Sequence, residues 1–381
     1  MRAPERVVAA LRAQPRPVCA YVYDTAALRE RAAAVRSALP PKTTLLYAVK
    51  ANSRSEVVET LARACDGLEV ASGGELSLAV AAGAKRIVFG GPAKTDAELA
   101  AAVAAGAQVN VESAHELRRL ARSARSAGVV ADVAIRVNRA GPALAGSHAM
   151  TGTATPFGVD EAQLPQVLAL AAALDSVRVI GFHLHAVSNN LDAAAHAAFV
   201  ADCLHWSARQ GIDLRLVNVG GGLGVDYLSD ATIDLGELRD RLRPPPDGVE
   251  LVVEPGRILA ADAGWYAAEV LDVKHPPGRT FAVLRGGTHH FRLPAAWGYS
   301  HPFTVLSVDD WPYDWPRPAA ENTEVDAVGE LCTPRDVLAR GRHVERVRAG
   351  DILVFGRAGA YGWDISHHDF LRHPPPAFIT V

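Results

Sequence analysis

Five kinds of reactive or ligand-binding group follow short apolar segments of the chain. Lys50 follows LLYAV, His185 follows GFHL, and the triplet Gly220–Gly222 follows LVNV. Glu254 and Arg257 come within four residues after VELVV. A partly desolvated lysine amine can form a Schiff base, glycine N–H groups and a guanidinium can hold a phosphate, and a carboxylate can keep a pyridine nitrogen protonated. The set therefore predicts a site for an anionic aromatic cofactor that carries an aldehyde.

Each of these groups also has an ordinary structural interpretation. Lys50 taken alone is a solvated lysine at a strand end, the glycine triplet is a tight turn, and Arg257 and Glu254 each belong to an ion pair. His183 and His185 lie two residues apart, so on a strand they face the same side and could ligate a metal. No carboxylate or cysteine in the neighbouring run completes a ligand set, so we expect no metal; His185 stacks on a cofactor instead, and His183 is a core residue.

Eight short apolar runs alternate with Ala- and Leu-rich segments of helical spacing. The runs are LLYAVKA (45–51), GLEVAS (67–72), RIVFGG (86–91), QVNVES (108–113), VADVAIRVN (130–138), VRVIGFHLHA (177–186), LRLVNVGGG (214–222) and VELVVEPG (249–256). Strands that alternate with helices predict a closed, parallel (β/α)8 barrel, with an open doubly wound sheet as the alternative. The carboxyl ends of barrel strands meet at one rim, so the reactive groups are expected to converge there.

The chain changes character after the eighth run. Segment 263–381 is richer in Pro, Trp and His, lacks long helical periodicity, and contains runs typical of antiparallel strands. The run VCAYVYD (18–24) is also strand-like and has no place in a barrel of eight strands. We therefore predict a barrel over 25–262 and a β-domain, a sandwich or small barrel, formed by 1–24 and 263–381. The stretch DDWPYDWPRP (309–318) is interpreted as a lid, an interface contact or a rigid turn.

Composition narrows the classes of function and partner. The chain has 381 residues, 49% of them hydrophobic and 21% charged, with a net charge of −3. No basic stripe predicts a nucleic-acid partner, no apolar stretch is long enough for a membrane span, and the first residues lack the apolar segment of a secretory signal. The four cysteines show no C-x-x-C spacing, so we expect neither a zinc site nor a disulfide framework, and a cytoplasmic location.

Short motifs resemble one family along nearly the whole chain. They are YAVKAN (47–52), ASGGEL (71–76), NVES (110–113), RVN (136–138), FG (157–158), HLHAVS (183–188), VGGGLG (219–224), EPGR (254–257), GELCTPRD (329–336) and GAYG (359–362). In this order they resemble the fold type III, alanine-racemase-like enzymes that use pyridoxal 5'-phosphate (PLP). Within that fold they look most like the diaminopimelate, ornithine and arginine decarboxylases. The resemblance implies an α/β fold with a PLP-binding (β/α)8 barrel and a C-terminal β-domain.

The resemblance also implies roles for individual residues. Lys50 would form the Schiff base with PLP, His185 would stack on its ring, and Glu254 would pair with the pyridine nitrogen. The residues that would surround the phosphate are Ser188, Gly221, Gly222, Gly256, Arg257 and Tyr361. Cys332 and Asp336 would reach into the partner subunit's active site, where Cys332 would return a proton to the substrate after CO2 leaves. A homodimer with composite active sites and a small amino-acid-derived substrate are therefore expected.

Two segments depart from the diaminopimelate decarboxylase pattern. That group has C-E-S-x-D where this chain has Cys332-Thr333-Pro334-Arg335-Asp336, so a carboxylate that helps to hold a distal ammonium is missing. The segment RGGTHHFRLPAAWGYSHPF (285–303) replaces a pattern close to D-x-G-M-x-D-L-x-R-P. It resembles the siderophore-pathway branch, which acts on a citryl-diaminopropionate conjugate. A carboxylate-rich substrate would suit the cationic and polar side chains of these two segments, namely His289, His290, Arg292, Thr333 and Arg335.

Three other functions remain as alternatives. The first is decarboxylation of diaminopimelate, ornithine or lysine, against which the missing carboxylate counts. The second is racemisation; alanine racemases set an arginine against the pyridine nitrogen, whereas this chain has Glu254. The third is a small one-domain PLP-binding protein without enzymatic activity. Cys332 and Tyr361, in the additional β-domain, argue against it.

Overall fold

A computed structural model describes residues 2–139, 144–146, 148–149, 151–152 and 154–381. These residues form two compact units. The barrel unit contains residues 29–225 and 231–259, and the β unit contains residues 2–28, 226–230 and 260–381. The five residues 226–230 thus leave the barrel unit and belong to the β unit.

Eight parallel strands close the barrel, as the alternating pattern predicts. In chain order, barrel strands 1 to 8 are Thr43–Ala48, Gly67–Val70, Ile87–Phe89, Gln108–Val111, Ala131–Asn138, Val177–His183, Leu216–Asn218 and Glu250–Val253. Each strand pairs in parallel with its sequence neighbours, and strand 8 pairs with strand 1 through Leu251 and Thr43. The predicted fold class is therefore confirmed, and the open doubly wound sheet is wrong.

Helices connect the barrel strands where the sequence has helical periodicity. The α-helices are Thr25–Ser37, Ser55–Ala64, Gly73–Ala81, Asp96–Ala104, Ala114–Ser126, Leu164–Ala172, Ala193–Ala208, Leu235–Arg241 and Arg257–Ala260, with 3-10 turns at Val49–Ala51 and Glu161–Gln163. Several of their first turns carry side-chain caps encoded in the sequence; Thr95 and Glu98, for example, form a reciprocal capping box. Short strands Val159–Asp160, His148–Ala149 and Val187–Ser188 complete the unit.

Apolar side chains from alternating strands fill the barrel. Leu46, Val88, Ala134, Leu216 and Val252 form one fully buried cluster. Four of them come from the odd-numbered strands 1, 3, 5 and 7, which is the layered packing expected in a barrel of this type. The interior is thus a packed core, and polar groups gather beyond the strands' carboxyl ends.

The β unit is built on a mixed sheet. Its strands are Cys19–Tyr23, Gly264–Lys274, Phe281–Leu284, Phe303–Leu306, Ala319–Val328, Val337–Arg348, Ile352–Phe355 and Ala377–Thr380. The early strand predicted near 18–24 pairs antiparallel with Gly264–Lys274 and parallel with Ala377–Thr380. Short helices are Glu5–Arg12, Leu293–Trp297, Ala261–Ala263 and Phe370–Arg372. Within the described ranges, no helix combines the length and apolar character that a membrane crossing requires.

Candidate active site

Lys50 lies just beyond barrel strand 1. The strand ends at Ala48, two residues before Lys50, and Val49–Ala51 forms a 3-10 turn that carries the lysine. Its Nζ donates to Oε2 of Glu69 at 2.5 Å. Glu69 is buried on barrel strand 2, and our sequence reasoning missed it. The available signal was a single carboxylate within the apolar run GLEV, because a carboxylate on a buried parallel strand requires a charged or hydrogen-bonding partner.

Glu254 forms the centre of a buried polar group beyond strands 6, 7 and 8. Nδ2 of Asn218 donates to Oε1 of Glu254 at 2.5 Å, and Nε2 of His183 lies 3.5 Å from Oε2. Burial by itself raises the pKa of Glu254, but His183, Lys50 and Asn218 together lower this pKa below its ordinary value. Glu254 is thus held as a carboxylate that can face a cationic or proton-bearing partner.

Asn218 connects this carboxylate to the glycine segment. While its amide nitrogen donates to Glu254, its Oδ1 accepts a hydrogen bond from the N–H of Gly220 at 2.9 Å. Asn218 is fully buried at the end of barrel strand 7. It is a second positioning residue that the sequence analysis did not identify, since an asparagine before a glycine triplet is equally typical of an ordinary turn.

The backbone of the glycine segment requires glycine at two positions. Gly220 has φ +68°, and a Cβ there would lie 2.3 Å from Nδ1 of His185. Gly222 has φ +96°, and a Cβ there would lie 2.8 Å from the carbonyl oxygen of Val187. Any side chain would therefore force the segment away from its neighbours. Glycine permits the close approach that a backbone phosphate-binding turn needs.

The ring of His185 is suited to stacking. It lies parallel to the ring of His183, with an 8° angle between the planes and 6.3 Å between centroids. Burial, with the charges of Arg136, His183 and Lys50, lowers the pKa of His185 well below its ordinary value. His185 is consequently neutral near pH 7 and can present an uncharged face to a ring.

The end of strand 8 approaches the turn that bears Lys50. A Cβ on Gly256 would lie 2.7 Å from the Cβ of Ala51, so glycine allows the EPGR segment to pack against the turn. Arg257 is buried at the start of its short helix, and Ser188 ends the two-residue strand Val187–Ser188. Eight of the residues predicted to bind the cofactor thus lie in the barrel unit, in segments that follow the carboxyl ends of its strands: Lys50, His185, Ser188, Gly221, Gly222, Glu254, Gly256 and Arg257.

Three further motifs meet in a buried ionic network. Oε1 of Glu112 accepts from Arg136 and from the N–H of Gly91, both at 2.9 Å. Its Oε2 accepts from the N–H of Gly158 at 2.9 Å, and the Arg136 guanidinium lies 4.6 Å from the ring centroid of Phe157. Motifs NVES, RVN and FG are therefore joined by these contacts. The positive charge of Arg136 also helps to lower the pKa of His185 and so to keep its ring neutral.

The barrel residues fit the cofactor that the resemblance implies. Within the described part of the chain, the amide of Asn110 and Nδ1 of His183 are buried without hydrogen-bond partners. Because an unsatisfied buried polar group costs about 1–3 kcal/mol, these atoms suit a polar ligand. Together with an amine, an ionised carboxylate and a glycine turn, they match an anionic aromatic aldehyde.

The β unit contains the residues predicted to contact substrate, but it separates them into two groups. A cleft of about 820 Å³ is lined by Arg292, Thr333 and Arg335, together with Arg340 and His367, which our sequence reasoning missed. Among the described residues, those that line it include no Asp or Glu; they are Thr288, Arg292, Pro294, Ala295, Ala296, Gly298, Tyr299, Ser300, Leu331, Thr333, Arg335, Val337, Leu338, Ala339, Arg340, His367 and Phe370. Cys332 is exposed, and in the sequence it stands between Leu331 and Thr333, which line the cleft.

The other predicted substrate residues lie in the interior of the β unit. His289 and His290 are fully buried, and Asp336 is nearly so. Asp336 accepts hydrogen bonds from the N–H and Oγ1 of Thr288, at 2.6 and 2.8 Å, and from the N–H of Leu331 at 2.9 Å. These contacts make Asp336 a brace between two segments of the cleft wall. Tyr361 occupies a turn of the β unit with φ +54°.

Comparison with known proteins defines the class of the chain. The family model for the pyridoxal-binding domain of pyridoxal-dependent decarboxylases matches residues 25–261. The chain therefore belongs to the pyridoxal-dependent decarboxylases, which are carboxy-lyases.

Individual relatives refine this assignment. The chain is 40% identical to 2-[(L-alanin-3-ylcarbamoyl)methyl]-2-hydroxybutanedioate decarboxylase of Staphylococcus aureus, an alignment that covers 100% of this chain and 98% of that protein. It is 32% identical to diaminopimelate decarboxylase of Aquifex aeolicus, over 95% and 86% of the two chains. Its fold is similar to the crystal structure of Helicobacter pylori diaminopimelate decarboxylase complexed with L-lysine, with a TM-score of 0.84, 26% identity and coverage of 98% and 93%.

Proposed function

We propose that this enzyme uses PLP bound at Lys50 to decarboxylate an amino acid that carries a carboxylate-rich conjugate of the citryl-diaminopropionate kind. The observation that carries the substrate class is the cleft of the β unit, which three arginines line without any acidic side chain. The S. aureus relative supports it, because its name describes a hydroxybutanedioate, with two carboxylates, joined through an amide to an amino-acid group. In this proposal the enzyme acts in siderophore assembly, as the resemblance of segment 285–303 implies.

The barrel residues divide the work of holding the cofactor. Lys50 would bind its carbonyl carbon, the N–H groups of Gly221 and Gly222 with Ser188, Gly256 and Arg257 would hold its phosphate, and His185 would cover its ring. From the β unit, Tyr361 would add a further phosphate contact. Glu254, whose pKa is lowered, would hold a proton on the ring nitrogen. When bound, PLP supplies the electron sink that makes loss of CO2 from the substrate possible.

The arginine cleft supplies recognition of the substrate's distal end. Arg292 and Arg335 present planar guanidinium groups that can bind carboxylates in two-point geometry, and Thr333 adds a hydroxyl. Lysine ends in an ammonium group alone, which a cleft of this charge repels, whereas the distal end of diaminopimelate carries an ammonium group beside a single carboxylate. His289 and His290 are buried next in sequence to Thr288 of the cleft lining and make no direct contact with the substrate in this proposal.

Cys332 makes the site dependent on a second subunit in our proposal. The thiol is exposed; by the family resemblance it would reach the partner subunit's active site, where it would return a proton to the substrate's α-carbon. We therefore propose a homodimer with composite sites. We also propose a cytoplasmic location, because four unpaired cysteines suit a reducing compartment.

A substrate panel tests the proposed activity. CO2 release would be followed with the citrate–diaminopropionate amide, diaminopimelate, ornithine and lysine, beside Lys50→Ala as the inactive control. We expect the native enzyme to turn over the citrate amide alone. In Arg335→Gln the KM for this substrate should rise at least ~10-fold, because about one charge-assisted hydrogen bond is lost. Arg346→Gln, on an exposed strand position, is the matched control. Preferred turnover of diaminopimelate or a basic amino acid would overturn the substrate assignment while leaving decarboxylation intact.

Subunit mixing tests the composite site. Lys50→Ala and Cys332→Ala are each expected to be nearly inactive when purified separately. After co-refolding, mixed dimers contain one site with both native residues, so activity returns. Absence of any recovery, in mixtures shown to contain mixed dimers, would show that Cys332 acts within its own subunit or outside the reaction.

A further inference from the structure

The five residues 226–230 form an excursion that leaves the barrel unit just after the glycine segment. The residues on either side of it, in the barrel unit, are joined by a bridge between Val225 and Thr232 and by a hydrogen bond from the N–H of Ile233 to the carbonyl of Gly224, at 3.1 Å. Residues 226–230 themselves belong to the β unit. The proposed phosphate contacts at 221 and 222 therefore lie only a few residues from a segment that the β unit holds.

One buried arginine, Arg357, donates hydrogen bonds to the backbone of residues 226–230. Nη1 of Arg357 donates to the main-chain carbonyl of Asp226 and, at 2.6 Å, to that of Ser229. Nη2 donates to the carbonyl of Asp230 at 2.8 Å, and Nε donates to Oδ1 of Asp262 at 2.8 Å. The guanidinium thus gathers three carbonyls of a single five-residue excursion, with one carboxylate to balance its charge.

The contact set requires arginine in particular. Arg357 is 4% exposed, so its charge is tolerated only because fixed acceptors surround it. A guanidinium has five N–H donors in a rigid planar fork, whereas a lysine ammonium has three on a flexible stem. A structural ion pair between Arg357 and Asp262 would need only one of these bonds.

The same residue lies at the start of the segment that carries Tyr361. Arg357 and Tyr361 both have positive φ, +52° and +54°. Between them, the N–H of Ala358 donates to the carbonyl of Gly264 at 2.9 Å, and that of Gly359 donates to Ala261 at 3.2 Å. Arg357 therefore connects residues 226–230, which follow the glycine segment, with the start of the segment that carries Tyr361.

We propose that Arg357 is a positioning residue for phosphate binding, which fixes the glycine segment through residues 226–230 and the Tyr361 segment through its own backbone. The inference rests on the proposed roles of Gly221, Gly222 and Tyr361 in binding the cofactor. It is independent of which amino acid is decarboxylated. Preorganised donors bind more tightly than mobile ones because less conformational entropy is lost on binding.

The phosphate group allows a selective test. Dissociation constants would be measured by absorbance and fluorescence for PLP and for pyridoxal, which lacks the phosphate, in the full-length protein without substrate. In Arg357→Gln we expect PLP affinity to fall at least ~10-fold, which corresponds to the loss of about one charge-assisted hydrogen bond. Pyridoxal affinity should change less than about threefold. Arg357→Lys should recover part of the loss.

Control variants separate positioning from general damage. Arg342→Gln replaces an arginine that lines the same small cleft as Arg357, and among the described residues no hydrogen bond joins it to the excursion. It should leave both affinities unchanged. Asp262→Asn removes the carboxylate charge while keeping an acceptor oxygen and the carbonyl contacts of Arg357 to residues 226, 229 and 230, and we expect an intermediate loss of PLP affinity. It provides the same readout if Arg357→Gln does not fold.

Two results would overturn the inference. One is equal loss of PLP and pyridoxal affinity, which would indicate unfolding or a shift of the whole site. The other is unchanged PLP affinity in Arg357→Gln with a lowered unfolding temperature, which would make the contacts purely structural. Neither depends on CO2 release, so a wrong substrate assignment would leave this result standing.

Discussion

Protonation of His301 is expected to destabilise the β unit at mildly acidic pH. Its Nε2 lies 2.8 Å from the carbonyl of Gly356, and its Nδ1 lies 2.8 Å from the hydroxyl of Tyr299. A carbonyl can only accept, so Nε2 carries the hydrogen and Nδ1 accepts from the tyrosine. The neutral ring is therefore fully satisfied, and a second proton on Nδ1 would require the Tyr299 hydroxyl to turn from donor to acceptor.

The magnitude follows from the shift in pKa. Burial, with the charges of Arg342 and Arg357 and against the bond to Gly356, lowers the pKa of His301 to about 4. An unfolded chain has a histidine pKa of about 6.5, so the unfolded state binds the proton more tightly and stability falls as pH falls below that value. At about 1.36 kcal/mol per pH unit, the free energy of unfolding should drop by about 2 kcal/mol between pH 7.5 and pH 5.0.

Equilibrium urea unfolding at both pH values would measure this difference. His301→Gln keeps one donor and one acceptor but does not titrate, so it is the matched control. Both proteins would be compared at one protein concentration, since subunit association shifts apparent stability. We expect the native protein to lose about 2 kcal/mol more than the variant over this interval. An equal loss in both, or a larger loss in the variant, would refute the argument from buried neutral histidine.

Two further predictions concern the barrel rim. Glu254→Gln should lower kcat by roughly 10- to 150-fold, the cost of one charge-assisted hydrogen bond of ~1.5–3 kcal/mol, while the absorbance of lysine-bound PLP persists; an unchanged kcat would exclude the carboxylate from the reaction. Gly256→Ala should reduce stability by about 1–3 kcal/mol and displace the turn bearing Lys50, because its Cβ would lie 2.7 Å from the Cβ of Ala51. Gly74→Ala, in a helix where the Cβ would meet nothing nearer than 3.8 Å, is its control and should be neutral or stabilising.

Local patterns in the sequence predict the architecture well. Alternation of short apolar runs with helical segments requires a parallel sheet covered by helices, and eight runs close it. The ends of the strands were less predictable. Lys50 and His185 were placed on their strands, whereas the strands end at Ala48 and His183. Strand boundaries depend on hydrogen bonds to neighbouring strands, which a single segment does not encode.

Residues that act through other residues were missed for the same reason. Glu69 and Asn218 have no motif of their own, and their importance comes from a 2.5 Å contact with Lys50 and with Glu254, respectively. The histidines of THHF were expected to contact substrate because of their chemical type. The fold buries both of them and places Arg340 and His367 in the cleft instead.

The sequence by itself determined the barrel, the β-domain, and the order of motifs that marks a pyridoxal-dependent decarboxylase. These depend on periodicity and on short contiguous motifs, which are local properties. Only the tertiary structure decided which cations share a cleft, that Glu254 remains ionised, and that Arg357 gathers the carbonyls of residues 226–230. Each of these depends on groups that are distant along the chain, and charge, burial and hydrogen bonding are set by such neighbours in space.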